Sequence, residues 1–268
     1  MNRRSLYVAV LVGMLSPAAG ARVAGQLAAP GASGIAMGHI HLAVHDLEAH
    51  RRFWAAFGGT PVQNGALQLI QFPGTFVMLR QAEPTAGTVG STINHFGFLV
   101  KSIQEWMPKW QAAGLKMEPI TGPARVYLVG PDDVRVEILE DASIDVPLKM
   151  HHLHFYVTSP IEAQLWYAKT FGAVPGKRGQ NDAADLPGVN LTFTKADAPM
   201  AGTKGRSLDH IGFEVKNLEP FCKKLEASGI KLDRPYTRLP NSATAIAFLT
   251  DPWGTYIELT ENLAPATR

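Results

Sequence analysis

The sequence predicts an α+β fold made of four βαβββ units that pair into two halves. Four short segments share one pattern, in which a histidine opens one face of a strand and apolar residues fill the other. Their leading histidines, His39, His95, His152 and His210, lie 56, 57 and 58 residues apart. A fixed period of this size predicts a repeated supersecondary unit.

The clearest copy of the strand is residues 208–215. Its apolar side chains, Ile211, Phe213 and Val215, point one way, because alternate side chains of a strand face opposite sides. His210 opens the other side. A single strand histidine is more often a structural residue than a ligand, but four histidines in the same register favour a shared chemical role.

Each histidine strand is followed by a predicted helix with a polar residue at its start and glycine at its end. The helices are predicted at residues 47–57, 103–113, 161–171 and 218–228. Pro108 is expected to kink the second one. Apolar strand positions supply the surface that these helices need, so the histidine face looks away from them, into the space that the sheet encloses.

Short strand-like runs complete each unit, and two clear turns separate them at residues 130–133 and 251–254. The strands are predicted at residues 66–72, 75–80, 125–129, 134–139, 189–194, 244–249 and 255–259. Residues 142–148 contain Pro147 and have no periodicity, which is typical of a linker. We therefore expect unit one to pair with unit two in residues 38–141, and unit three with unit four in residues 149–262.

The first residues have the layout of a secretory signal peptide. Arg3 and Arg4 precede an apolar run at residues 6–15, and small residues at 19–21 offer a cleavage site. The run is too short to span a bilayer, so no stable membrane insertion is expected after cleavage. Residues 1–21 are the predicted signal, residues 22–37 a flexible lead-in, and the mature protein periplasmic or secreted. An uncleaved anchor is the alternative.

Composition narrows the classes of function. The net charge is +2 and no cluster of basic residues with interleaved aromatic residues occurs, which argues against nucleic-acid binding. Cys222 is the single cysteine, so the chain has no intrachain disulfide and no cysteine-rich zinc motif.

Two glutamates complete a metal-binding pattern. Glu137 and Glu258 lie in the last strands of units two and four, on the face predicted for the histidines. A lone carboxylate is costly to bury there, and a metal ion would remove that cost. Two histidines and one carboxylate suit Fe(II), and also Mn(II) or Zn(II). Each half supplies one such set, namely His152, His210 and Glu258 in the C-terminal half and, as a second site, His39, His95 and Glu137 in the N-terminal half.

These features resemble the vicinal oxygen chelate superfamily. The resemblance rests on the repeats, the opening histidines and the closing motif Asp-Pro-x-Gly-x-x-x-Glu-Leu at residues 251–259, and it covers about residues 38–261. That group includes glyoxalases, extradiol dioxygenases, epimerases and antibiotic-resistance binding proteins. The resemblance implies that two units form each open barrel, with a metal ion inside it that binds a small-molecule substrate. A homodimer is the assembly considered for the chain.

Departures from the family pattern bear on the reaction. Extradiol dioxygenases usually carry further cavity histidines, and here only His154 and Tyr256 remain as acid/base candidates. His154 is as well explained as a hydrogen-bond partner of the ligands, and Tyr256 as a wall residue. Residues 75–80 and 189–194 contain no acid, which argues against a strict glyoxalase I.

Three hypotheses follow: a Lewis-acid metalloenzyme, a ring-cleaving dioxygenase, and a metal-free protein that sequesters a small molecule. The complete histidine and glutamate sets argue against the third. We expect the C-terminal half to be the working site, because Arg135 shares a face with Glu137 and a cation there can form an ion pair with that carboxylate.

Overall fold

The structure is a computed structural model, and it describes residues 27–64, 67–119, 122 and 124–264. Within these residues the helices are α1 (Leu47–Phe57), α2 (Ile103–Ala112), α3 (Pro160–Phe171) and α4 (Leu218–Ala227). The strands are β1 (Ile35–Val44), β2 (Thr60–Asn64), β3 (Leu67–Phe72), β4 (Thr75–Gln81), β5 (Ile93–Val100), β6 (Lys116–Met117), β7 (Arg125–Val129), β8 (Arg135–Glu140), β9 (Leu148–Val157), β10 (Val174–Arg178), β11 (Asn181–Leu186), β12 (Val189–Lys195), β13 (Leu208–Val215), β14 (Arg234–Arg238), β15 (Ala245–Thr250) and β16 (Tyr256–Glu261).

The predicted fold class is confirmed, because each unit runs strand, helix, then three strands. All four predicted helices form. The cap signals work as expected at α1, where the Asp46 side chain accepts hydrogen bonds from two backbone N–H groups and Gly58 ends the helix in the left-handed region. Pro108 lies inside α2. The sequence analysis did not predict β2, β6, β10, β11 and β14, which are short or rich in polar and small residues.

The predicted pairing of the units is wrong. One sheet has the strand order β14-β15-β16-β13-β1-β4-β3-β2, so it joins unit one to unit four. The other has the order β10-β11-β12-β9-β5-β8-β7-β6 and joins unit two to unit three. At the centre of each sheet, the first strands of two units pair antiparallel, β1 with β13 and β5 with β9.

The connections between the units account for this nested pairing. Residues 141–147 form a short link between β8 and β9, which lie in the same sheet. Residues 82–92 and 196–207 are longer and cross between the sheets. These two crossing segments bind each other: Thr92 N–H donates to the Ala201 carbonyl and Ser207 N–H to the Ala86 carbonyl, both at 2.9 Å.

Neighbouring units in the sequence share a core even though their strands join different sheets. Trp54 and Phe57 of α1 lie against Phe96 and Phe98 of β5, with ring centroids 6.0 and 5.0 Å apart. In the second half of the chain, Phe171 of α3 packs against Phe213 of β13, with ring centroids 5.1 Å apart. The helices therefore cover the apolar strand positions, as the sequence analysis expected.

The predicted boundaries of the signal peptide, the lead-in and the two domains can be compared with the structure one by one. Residues 1–21, the predicted signal peptide, lie outside the described residues. The lead-in predicted at 22–37 ends too late, because β1 already begins at Ile35 and its first three residues are buried against β13. The division into 38–141 and 149–262 stays a prediction as a statement about domains. Among the described residues, no helix has the length and apolar character that crossing a membrane requires.

Candidate metal centres

Each sheet carries one cluster of histidines and a glutamate on one of its faces. The first cluster consists of His39, His41, His210 and Glu258, and the second of His95, Glu137, His152 and His154. In each cluster, one possible ligand atom from every residue lies within 4.8 Å of the others. Two histidines come from the long first strand of one unit, one histidine from the paired strand, and the glutamate from the adjacent last strand.

Glycine makes room for one histidine ring in each cluster. Gly212 lies opposite His39 across β1 and β13, and Gly97 lies opposite His152 across β5 and β9. A Cβ atom at either glycine would overlap the facing imidazole ring. The repeated His-x-Gly pattern of β5 and β13 is therefore a packing requirement of the clusters.

The first cluster is centred on one carboxylate oxygen. The Nε2 atoms of His39 and His210 each lie 2.9 Å from Oε2 of Glu258. All three side chains are buried, with relative exposures of 0%, 5% and 7% for His39, His210 and Glu258. Burial opposes ionisation of the Glu258 carboxyl, but hydrogen bonds from the two imidazoles outweigh burial and hold its pKa well below the ordinary value.

Asp209 fixes the orientation of His210. Its Oδ1 atom lies 2.6 Å from His210 Nδ1, so this nitrogen carries a proton and Nε2 faces Glu258. Burial lowers the pKa of His210, but the bonds to Asp209 and Glu258 outweigh it and raise that pKa above its ordinary value. Two carboxylates thus bracket one imidazole, which gives the cluster an affinity for positive charge at the Nε2 position.

His41 has no such partners. Both of its ring nitrogens are shielded from solvent and lack a hydrogen-bond partner among the described residues, as does Nδ1 of His39. The His41 ring lies 4.3 Å from that of His210. Burial, together with the charge of His210, lowers the pKa of His41 well below its ordinary value. His41 is therefore a neutral imidazole whose lone pair faces the cluster region.

The second cluster has the same backbone plan but a different set of contacts. His152 Nε2 lies 2.9 Å and His95 Nε2 3.4 Å from Oε2 of Glu137. His152 Nε2 approaches without the alignment of a hydrogen bond. Instead, Tyr127 donates its hydroxyl to Oε1 of Glu137 at 2.6 Å, and Arg178 donates Nη2 to Oε2 at 3.4 Å.

His154 and the Nδ1 atom of His95 also have hydrogen-bond partners in the second cluster. His154 Nδ1 lies 3.1 Å from His95 Nε2, and its Nε2 lies 2.8 Å from the Thr194 hydroxyl. Asn94 Oδ1 accepts a hydrogen bond from the Arg135 guanidinium at 3.0 Å, which identifies this atom as the amide oxygen. The same oxygen accepts a second hydrogen bond from His95 Nδ1 at 2.9 Å. Burial and the nearby His95 lower the pKa of His154 to about 3.

The structure groups the six predicted metal ligands differently from the sequence analysis. The set His152, His210 and Glu258 is wrong as a group, because His152 lies in the other sheet with His95 and Glu137. His39 takes its place beside His210 and Glu258. The reason is the nested pairing of first strands. All six residues do fall in a cluster, and metal binding by them stays a prediction.

Two predictions about neighbouring residues also change. Arg135 does not pair with Glu137; its guanidinium bonds to Glu118 at 2.6 and 2.7 Å. Two other arginines lie beside Glu137 instead: Arg178 is 3.4 Å from Oε2 and the more exposed Arg125 is 3.8 Å from Oε1. Tyr256 lies beside His210, with ring centroids 5.7 Å apart, and stacks on Phe248, so its contact with the cluster is through the ring. Catalysis by Tyr256 or His154 stays a prediction.

The sequence analysis missed several residues that shape the clusters. His41 could have been found, because it lies two positions after His39 and so shares its face. Asp209 directly precedes His210 and is a familiar kind of orienting partner. Arg178 gave no signal, because it lies in a strand that the sequence did not indicate.

Both clusters fit a divalent cation by their donor chemistry. Each brings imidazole nitrogens and a carboxylate together in a buried place, and unpartnered lone pairs remain at His41 and His39. Each cluster takes its glutamate from the last strand of one unit, and the matching position on the last strand of the other unit holds no acid. This position is Met78 in the first cluster and Thr192 in the second. Two histidines and one carboxylate without a fourth acidic ligand leave coordination positions for substrate.

Comparisons with known proteins agree with this architecture. Residues 149–259 match the family model of the glyoxalase/bleomycin resistance protein/dioxygenase superfamily. Glyoxalase I from Zea mays has a similar structure, with a TM-score of 0.68 and 18% identity over 85% of this chain and 92% of that one. A protein of Bacillus subtilis subsp. subtilis str. 168, provisionally described as a dioxygenase, gives 0.67 and 16% over 86% of each chain. No curated protein sequence matches the chain. The predicted resemblance to the vicinal oxygen chelate superfamily is confirmed.

Proposed function

We propose that the chain is a metal-dependent enzyme of the glyoxalase/dioxygenase type, since it has the fold of the vicinal oxygen chelate superfamily and its residues 149–259 match that family model. Its substrate is a small molecule that offers two neighbouring oxygen atoms to a divalent ion. The observation that carries the proposal is the first cluster, where two imidazoles and an ionised carboxylate meet beside His41, whose nitrogens have no partner.

The residues of the first cluster have separate roles in this proposal. His39, His210 and Glu258 hold the ion, and Asp209 keeps the His210 ring in its ligating orientation. A bound Fe(II), Mn(II) or Zn(II) would act as a Lewis acid on the substrate oxygens. His41 is the proposed acceptor of a proton from substrate, because both of its ring nitrogens lie in the cluster without a hydrogen-bond partner and burial keeps the ring neutral.

We favour the first cluster as the working site. Its carboxylate contacts the two histidines, whereas Glu137 is also bound by Tyr127 and Arg178. A guanidinium beside the carboxylate competes with a metal ion for the same oxygen, and its positive charge repels the ion. The earlier preference for the C-terminal half thus becomes a preference for the sheet that contains Glu258, together with His39 from the first unit.

Metal analysis of the purified chain, after reconstitution with Fe(II), Mn(II) or Zn(II), tests the proposal. We expect at least one ion per chain, lost on Glu258→Gln and kept on Glu137→Gln. Oxygen uptake with catechols then separates a ring-cleaving dioxygenase from a lyase or isomerase. A chain that holds no ion with any of the three metals supports the alternative, a metal-free protein that sequesters a small molecule.

We also propose that the protein is exported. The motive is the run of charged, apolar and small residues at 1–21. Cell fractionation and mass spectrometry of the purified N-terminus test this: the mature chain should begin near Arg22 and be found outside the cytoplasm. An intact N-terminus on cytosolic protein would contradict the proposal.

A further inference from the structure

A cleft of about 930 Å³ opens beside the second cluster. Three cationic side chains line it, namely Lys149, Lys177 and Arg178, together with His151, whose pKa is lowered to about 4 by burial. Its acidic residues are Asp145 and Asp185, and Asp185 accepts a hydrogen bond from Asn190. Lys177 is paired with Asp182 at 2.7 Å, which leaves Arg178 and Lys149 as the cations best placed to receive a ligand.

Arg178 belongs to the cleft and to the cluster at once. Its side chain lines the cleft and is 23% exposed, while Nη2 reaches Glu137 at 3.4 Å and Nη1 reaches the Thr192 hydroxyl at 3.2 Å. Both hydrogen bonds are long. A guanidinium binds planar or tetrahedral oxyanions through two parallel N–H donors, so a charged ligand in the cleft can offer Arg178 better partners than it has here.

The matching position near the first cluster is Asn64. Asn64 is the last residue of β2, as Arg178 is the last residue of β10, and each strand pairs antiparallel with the strand that follows it. Its side-chain amide donates to the Leu263 carbonyl at 2.7 Å, away from Glu258. The contact between a cation and the cluster glutamate is thus a specific feature of the second cluster.

A metal ion and Arg178 compete for one oxygen atom. Oε2 of Glu137 is the atom that faces His152, His95 and Arg178. An ion held by the two imidazoles and this oxygen would lie next to the positive guanidinium, which is unfavourable in a buried place. The contact between Arg178 and Glu137 therefore weakens metal binding at the second cluster as long as it persists.

We propose that the cleft binds a small molecule bearing a carboxylate or phosphoryl group, and that this anion draws Arg178 away from Glu137 so that the second cluster can take a divalent ion. The proposal rests on the proposed function only in that histidine–glutamate clusters of this fold hold such ions. Anion and metal then strengthen each other's binding by the same factor, as thermodynamic linkage requires.

The test uses the full chain with Glu258→Gln, which leaves the second cluster as the metal site. Mn(II) binding is measured by equilibrium dialysis with sulfate, with acetate, and with chloride at equal ionic strength. Sulfate stands for a phosphoryl group and acetate for a carboxylate. We expect one of the two oxyanions to tighten Mn(II) binding about tenfold relative to chloride. Equal Mn(II) affinity in all three salts would overturn the proposal.

Two further variants isolate the contact. Adding Arg178→Ala should give tight Mn(II) binding that no longer depends on the anion. Adding Lys177→Ala instead removes a charge from the same cleft but keeps the contact between Arg178 and Glu137. In chloride it should leave the Mn(II) affinity as it was. If Lys177→Ala matches Arg178→Ala, general electrostatics explains the effect and the proposed displacement is wrong.

A metal-free measurement on the otherwise unchanged chain covers the event that Glu258→Gln fails to fold. In protein freed of metal on a chelating resin, sulfate or acetate should raise the unfolding temperature above that in chloride, and Arg178→Ala should reduce this rise. No rise in the unchanged chain, or the same rise in the variant, contradicts the proposal. Failure of the proposed function is a different result, since it would appear as a first cluster without metal in the Glu137→Gln chain.

Discussion

The two clusters have the same backbone plan but differ in what surrounds the carboxylate. Glu258 meets two imidazoles, one of which is held by the carboxylate of Asp209. At the second cluster a neutral amide, Asn94, takes the place of Asp209, and Glu137 is bound by a tyrosine and approached by arginine. The first environment is acidic and the second is basic. The comparison teaches that a repeated ligand pattern defines where a cation can bind, whereas the residues around it decide how readily it binds.

The largest expected effect comes from the two glutamates. Glu258→Gln removes the negative charge that holds the ion, so it should abolish both metal binding at the first cluster and activity. Glu137→Gln should leave activity and that ion in place. Metal analysis and turnover of the two variants check this. If Glu137→Gln is the inactive variant, the ranking of the clusters is reversed.

Next in size is the effect of the two glycines. Gly212→Ala should displace the His39 ring and strip metal from the first cluster, with about 1–3 kcal/mol lost from the free energy of unfolding. Gly97→Ala should do the same to His152 and spare activity. Gly176→Ala is the control, since a Cβ there meets nothing within 4 Å. Metal content and urea unfolding measure both effects. A Gly212→Ala chain that keeps its metal would refute the packing argument.

A smaller effect is expected at the partners of the first-strand histidines. Asp209→Asn keeps a side-chain oxygen near His210 but removes a negative charge, so metal affinity at the first cluster should fall about tenfold. Asn94→Asp adds a charge at the second cluster, where Arg135 already donates to that side chain and neutralises part of it. We expect a smaller change there. Titration of each variant with Mn(II) gives both values, and equal changes would show that the two environments do not differ as described.

The smallest expected effect concerns one hydroxyl. Phe248 of the first sheet and Tyr127 of the second lie opposite the two glutamates in register. Tyr127→Phe frees Oε1 of Glu137 and should tighten metal binding at the second cluster a few-fold, whereas Phe248→Tyr should weaken the first cluster by a similar factor. Mn(II) titration of both variants checks the signs. A weaker second cluster in Tyr127→Phe would mean that the hydroxyl helps to orient the carboxylate.

Much of the fold could be predicted from the sequence because its signals are local. Strand alternation, the helix caps around α1 and the spacing of the histidines each depend on neighbouring residues. The partner of each unit is a different kind of information. All four first strands have the same pattern and could pair with one another, so His39 fitted equally well beside His95 or His210. The crossing of residues 82–92 and 196–207, which selects the partner, gave no local signal.

The same limit applies to the candidate site. The face of each histidine was predictable from alternation, and both glutamates were found for the same reason. Arg178 and Tyr127 act on Glu137 across a sheet, through contacts that the order of residues does not reveal. The predicted ion pair between Arg135 and Glu137 is wrong, because the long arginine side chain reaches Glu118 and bonds to it instead. Strand alternation predicts which face a side chain is on, but it does not predict the partner of a long flexible side chain.

The nested strand order also sets the sequence of events while the chain is being made. His39 and Glu258 are separated by 219 positions, so the first cluster cannot form until the last strand has left the ribosome. The second cluster closes earlier, since His95 and His154 are only 59 positions apart. Until then β1 has an open edge on the side that β13 later covers, which exposes unpaired backbone to other chains. The cluster that we assign to catalysis is thus the last part of the molecule to mature, and a chain that stops before β16 would hold the second cluster but not the first.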